Sequence, residues 1–290
     1  MTSPAVVAGL RRRPGMRGMR VLGQGPLFLA ALAVLGVFVV VALLAPLLAP
    51  YDPDAVDLSA TLAGAGPAHP LGVDQSGRDI LSRLLFGART GLLGPLAVVG
   101  CSTLLGIVVG VAAAWRGGWA DALLSRSMDM VFALPGLLLA ILLVATFGPG
   151  LLAPVIAMVI AYTPYVGRLV RNIALQEKAR PYIEAYRVQG WSGWTICLRH
   201  LVPNIAPVVL AQSAINFGYA LMDLAALSFL GFGVQPPTAD WGAMINEGQS
   251  ALLQGDLLPA LAPGACIVVA VVAFSVVGEG FADRVAKRER

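Results

Sequence analysis

The sequence predicts an all-α, polytopic membrane protein with six transmembrane helices, on three observations. Hydrophobic residues make up 58% of the 290-residue chain and charged residues only 12%, with a mean hydropathy of +0.79. Ordinary soluble domains carry roughly twice that charge fraction, so this much apolar surface calls for a bilayer as its solvent. The apolar residues also fall into runs near the roughly 20 residues a helix needs to cross hydrocarbon. Finally, Lys and Arg collect between alternate runs, as they do in chains whose loops are sorted by charge.

The six runs cover residues 27–48, 91–115, 131–147, 151–170, 205–230 and 257–278. Helix is expected for each, because in lipid only a helix or a closed barrel satisfies every backbone group. The first run is too long for the apolar region of a signal peptide. The "LAPLLAPYDPD" at its end has no clean small-x-small cleavage pattern, so it is expected to stay as a span. The third and fourth runs are divided only by "GPG" at 148–150, which predicts a helical hairpin. Around the runs, the layout is a basic tail (1–26), an outer segment (49–90), a five-span core (91–282) with a polar loop at 171–204, and a second basic tail (283–290).

Charge orients the spans. With the amino terminus in the cytoplasm, the inner segments hold Arg11, Arg12, Arg13, Arg17 and Arg20, then Arg116 and Arg126. They also hold Arg168, Arg171, Lys178, Arg180, Arg187 and Arg199, then Arg284, Lys287, Arg288 and Arg290. Of the 20 basic residues, only Arg78, Arg83 and Arg89 remain outside. Both termini are therefore expected to be cytoplasmic. The five Trp residues (Trp115, Trp119, Trp191, Trp194 and Trp241) fall near expected interfaces, where amphipathic rings prefer to sit.

Several chemistries find no support. There is no G-x-x-x-x-G-K-[ST] loop, and neither lysine, Lys178 nor Lys287, follows a glycine. His69 and His200 fall on opposite sides of the expected membrane, and no H-E-x-x-H or G-x-S-x-G occurs. Cys101, Cys197 and Cys266 are too scattered for a disulfide framework or a metal site. Asp223 is the ionisable residue that stands out inside a span, which argues against a relay of buried carboxylates.

Two constellations carry functional expectations. In the loop, residues 183–189 suit a helix, "GWSG" at 190–193 breaks it, and 194–201 suit another, with Pro203 in the first turn of the fifth span. Trp191 and Trp194, three apart, share one face that meets either the headgroup region or a partner. His200 reads as a packing or hydrogen-bonding residue. In the fifth span, Gln212, Asn216, Tyr219 and Asp223 recur at i, i+4, i+7 and i+11 and so share a narrow face. Such a stripe turns to a wet pathway or hydrogen-bonds neighbouring helices. Gly106 and Gly110 permit a close helix approach in the second span, and Asp74, Arg78 and Asp79 either brace the outer segment or meet a partner.

The loop resembles that of permease subunits of ATP-binding-cassette (ABC) importers, in particular the dipeptide/oligopeptide/nickel class. Glu184, Ala185, Gly190 and Pro203 stand at the spacing of that family's loop motif, and "RHLVPN" (199–204) is similar to its usual "RHLLPN" close. Tyr186 stands where a second Ala is usual, and Gln189 where an apolar residue is usual. "HPLGVDQSGRDILSRLLFGART" (69–90), "LSFLGFGVQPPTADWGAMI" (227–245) and "GEGFADRV" (278–285) resemble further family signatures in the correct order.

The resemblance implies a type I importer permease fold in a bacterial inner membrane. It implies a second homologous permease, two cytoplasmic ABC ATPase subunits or domains, and an extracytoplasmic substrate-binding protein as partners. ATP and Mg would be held by the ATPases, with no cofactor on this chain and no nucleic-acid partner. Glu184, Ala185, Tyr186, Arg187, Gly190 and Pro203 would form the coupling element, and the chain itself would catalyse nothing. Gln212, Asn216, Tyr219 and Asp223 are the candidate pathway residues; the family often carries Glu where Leu224 stands. Peptides are the expected cargo, with nickel chelates or glutathione as alternatives. An ion-coupled secondary transporter is the alternative from another class.

Overall fold

The helices follow the apolar runs but overshoot them into the loops. The computed structural model describes residues 25–288; the tail expected over 1–26 lies outside the described residues except for its last two positions. Helix α1 (Pro26–Leu48) starts on Pro26, whose missing N–H costs nothing in a first turn. It is apolar all round and buries only Phe28, Ala31 and Ala45, as a lipid-facing helix does. The following segment has one 3-10 turn (Leu58–Ala60) and an isolated bridge between Val73 and Asp79, with no strand among the described residues.

Helix α2 (Ile80–Arg116) begins well before the run predicted from residue 91. The Asp79 carboxylate caps it by accepting from Ser82 N at 2.7 Å, so "ILSRLLF" becomes its first turns. Its far end is closed by Lys178, whose Nζ donates to the carbonyls of Ala114 (2.8 Å) and Trp115 (2.7 Å), acceptors that a helix end leaves orphaned. The third run is not one straight helix. Only its residues 136–147 form α4 (Gly136–Phe147), while 131–132 end α3 (Gly118–Phe132), a helix that lies mostly outside the expected run, and the two are bent by 79°. Pro135 stands at the break in an extended conformation, with no N–H to continue the helical hydrogen bonds. Counting that bent pair as one crossing gives six candidate spans.

Helix α5 (Leu152–Lys178) is followed by α6 (Pro181–Val188) and α7 (Gly193–Ile196). A π turn (Cys197–Leu201) then runs without a break into α8 (Val202–Phe229), so the second loop helix and the fifth span are continuous rather than separate. Short α9 (Trp241–Glu247) and α10 (Gln249–Leu253) precede α11 (Leu258–Arg288).

At the bundle centre α2 packs on α5. A Cβ on Gly106 would lie 2.6 Å from Val166 Cγ1, and one on Gly110 would lie 2.6 Å from the Gly167 carbonyl oxygen. The G-x-x-x-G therefore serves a contact inside the chain. At the α9 end, Arg78 pairs with Asp74 (3.0 Å) and Glu247 (2.7 Å), and Arg83 pairs with the same Glu247 oxygen (2.9 Å). Arg78 and Asp79 are buried, so they brace the fold instead of facing a partner. Trp241 is also buried rather than interfacial: its Nε1 donates to the Leu84 carbonyl at 3.0 Å, and its ring fills the space that Gly87 and Gly91 leave open.

Candidate functional site

The polar loop folds into a small, internally fastened unit at the α6 end of the bundle. Helix α6 opens with Pro181 and places Glu184 in its first turn and Arg187 in its last, each complementing the helix dipole. It closes in a Schellman arrangement. Trp191 N donates to the Tyr186 carbonyl (3.1 Å) and Gly190 N to that of Arg187 (3.0 Å), with Gly190 at φ +79°. That left-handed conformation is why glycine stands there. The reversal brings the Trp191 ring within 5.1 Å of Tyr186, measured between centroids.

The root of the unit is a buried carboxylate that sequence reasoning did not single out. Glu177, at the end of α5, accepts from the Tyr182 hydroxyl (2.7 Å) and from Asn204 Nδ2 (3.2 Å), and pairs with Arg180 (2.9 Å). Burial and the Glu177 bond push the Tyr182 phenol up to about 12, so its proton stays in place as a donor at cellular pH. Asn204 closes the "RHLVPN" run, which is the signal that pointed towards it; Glu177 and Lys178 looked like ordinary polar residues at a helix end.

Of the six loop residues expected to act together, Glu184, Ala185, Arg187 and Gly190 are exposed, and Tyr186 is half-buried. The Arg187 guanidinium lies 5.0 Å from the centroid of the Trp115 ring, and Pro203 sits in the first turn of α8. The Glu184 side chain makes no hydrogen bond or ion pair among the described residues. Val188, one helical turn on, is 84% exposed and extends an uncovered face beside it, whereas Trp194, 77% exposed, borders a cleft with Ile107, Val108 and Trp115.

The second candidate is a cavity of about 640 Å³ between α4, α5 and α8. Asn216, Tyr219 and Asp223 line it, together with Tyr162, Tyr165 and the α3–α4 bend at Leu134–Gly136. The stripe of α8 thus divides. Gln212 is not on the cavity wall; its Nε2 donates to Asn216 Oδ1 at 3.1 Å. The Tyr162 hydroxyl donates to Asp223 Oδ2 at 2.8 Å and joins α5 to α8. One carboxylate therefore both bonds a neighbouring helix and borders open space. The Asn216 Nδ2 is buried without a partner.

Residues 104–290 match the family described as "binding-protein-dependent transport system inner membrane component". Residues 15–67 match the "N-terminal TM domain of oligopeptide transport permease C". The chain belongs to this permease family. The permease is 34% identical over 269 residues to a probable D,D-dipeptide transport system permease of Escherichia coli, covering 93% of the chain and 90% of that protein. It is 38% identical over 265 residues to a glutathione transport system permease of Pectobacterium atrosepticum, with 91% and 87% covered. A di/tripeptide transport system permease of Pseudomonas aeruginosa is 39% identical over 248 residues, with 83% and 82% covered. In fold, the permease is similar to an inward-facing MetNI methionine ABC transporter chain, with a TM-score of 0.59 at 18% identity. That match covers 71% of the permease and 97% of the MetNI chain. It is thus a multi-pass inner-membrane component of an ABC importer.

Proposed function

We propose that the permease forms half of a pathway for small peptides and is driven by ATPases docked on α6. The observation that carries this is the cavity of about 640 Å³ that places Asp223, Tyr162, Asn216 and Tyr219 around one space. Asp223 offers a carboxylate to a peptide's ammonium group, a charge-assisted bond. The relatives' names favour this class of cargo, since D,D-dipeptides, di- and tripeptides and glutathione are all amide-linked. Glutathione and nickel chelates remain the alternatives for the same architecture.

The α6 end faces the cytoplasm in this reading, which the placement of Lys and Arg supports. Two ATPase subunits or domains, which hold ATP and Mg, receive the exposed face of Glu184, Ala185, Arg187 and Val188. A second permease completes the pathway, and a binding protein delivers cargo at the α9 end. The permease catalyses no reaction and holds no cofactor.

Proteoliposomes carrying both permeases, the ATPases and the binding protein are expected to accumulate peptide only with hydrolysable ATP. Uptake driven by an ion gradient without ATPases would overturn the reading. In the same vesicles, Asp223→Asn is expected to lower uptake of a free-amine peptide about ten-fold or more, the scale of one lost charge-assisted bond. An N-acetylated peptide should be little affected. Equal loss for both peptides would assign Asp223 to the Tyr162 link alone.

A further inference from the structure

Tyr186 of α6 and His200 of the π turn meet ring to ring. The His200 ring lies 4.1 Å from the Tyr186 ring, centroid to centroid, with the planes 20° apart. Trp191 meets both rings at their edge, 5.5 Å from His200 at 62° and 5.1 Å from Tyr186. The cluster therefore joins α6, the turn after it and the π turn that opens α8. Such ring contacts are directional and resist sliding.

The hydrogen bond between α6 and α8 lies at the opposite end of α6. There Tyr182 accepts from Asn204 Nδ2 at 2.9 Å. Among the described residues, no side chain of residues 184–189 hydrogen-bonds to α8. His200 Nε2 is buried and unpartnered, so the ring works through its face and not through that nitrogen. Its position in the turn is also particular. Val202 N closes the π turn on the Cys197 carbonyl, and Pro203 follows with no N–H to offer. π turns are rare and often mark functional positions. From His200 the same helical path runs 16 residues to Asn216 and 23 to Asp223, about 24 and 35 Å at 1.5 Å per residue.

We propose that His200 is a positioning residue that clamps α6 to the π turn of α8 through the Tyr186 stack, so that displacement of α6 moves the cavity-lining helix. This rests on the docking of ATPases on α6 proposed above. Without the stack, α6 moves on its Tyr182–Glu177–Asn204 root while the last turn slides past α8. ATP is then hydrolysed with less cargo moved.

The readout is peptide taken up per ATP hydrolysed, in proteoliposomes of the full complex. His200→Ala is expected to lower that ratio about ten-fold, within the range by which coupling-path substitutions act. ATPase copurification and thermal midpoint should stay near wild type. His200→Phe, which keeps an aromatic face, should restore the ratio. A His200→Ala ratio equal to wild type, or a His200→Phe ratio as low as that of His200→Ala, would overturn the proposal. If His200→Ala does not assemble, Tyr186→Leu removes the same stack from the other side, and an unchanged ratio there overturns it equally. Val188→Glu tests the underlying reading separately. It lies outside the stack on the exposed face of α6 and should abolish ATPase copurification. Normal copurification of Val188→Glu would fault the docking reading and not the clamp.

Discussion

Replacing Glu247 with alanine is expected to destabilise the permease by about 3 kcal/mol, read as a lowered thermal midpoint in mild detergent. One carboxylate oxygen of Glu247 serves two buried guanidinium groups, Arg78 at 2.7 Å and Arg83 at 2.9 Å. The Arg83 side chain is 1% exposed, and its other near acid, Asp74, is 3.8 Å away. Such a pair contributes little net stability while intact, but removing one partner strands the other charge away from water. The expected loss sits at the low end of the range for buried pairs for two reasons. Glu247 keeps 16% side-chain exposure, and Asp74 still holds Arg78. Glu247→Gln should fall between, because it keeps an acceptor. Adding Arg83→Met to Glu247→Met should recover part of the loss. A midpoint unchanged in Glu247→Ala would mean that water already reaches the arginines.

Gly110→Val is expected to be comparably damaging by a different route. The added Cβ alone would meet the Gly167 carbonyl oxygen at 2.6 Å, Val170 Cβ at 2.8 Å and Arg171 N at 2.9 Å. Two of those atoms are backbone, so α2 and α5 must separate. Overpacking typically costs about 1–3 kcal/mol and occasionally more. Separation here also strains the bidentate Arg171–Asp121 pair, at 2.5 and 2.6 Å, which ties α5 to α3. The yield of monodisperse protein should fall sharply. Gly100→Ala, where a Cβ meets nothing within 4 Å, is the matched control and should be neutral or slightly stabilising. Equal yields for both substitutions would show that the α2–α5 contact is not limiting.

The spans were legible because run length and hydropathy report directly on the solvent. What eluded the sequence were contacts between distant segments. Nothing near Arg78 or Arg83 points to Glu247, more than 160 residues on, and nothing near Asp223 points to Tyr162. The α8 stripe was readable as a face, yet only three of its four residues reach the cavity; Gln212 instead supports Asn216. The bend at Pro135 was visible in principle, since a proline within an apolar run breaks or kinks a helix. The run over 131–147 takes in that break and leaves most of α3 outside it. The loop helix and its Gly190 turn were legible because a short helix and a positive-φ glycine are local features, whereas its anchoring to Glu177 depends on tertiary folding.

Helix α2 is 37 residues long, about 55 Å at 1.5 Å per residue, against a hydrocarbon core of roughly 30 Å. It outreaches the hydrocarbon, and both tips are fastened, one by the Asp79 cap and the arginine cluster, the other by Lys178. Between the part that carries Arg83 and the rest of the helix stands Pro95, which has no N–H to give the Gly91 carbonyl and so marks where α2 bends. The two fastened tips therefore share one helix, and Pro95 is the place where a tilt at one tip is bent before it reaches the other.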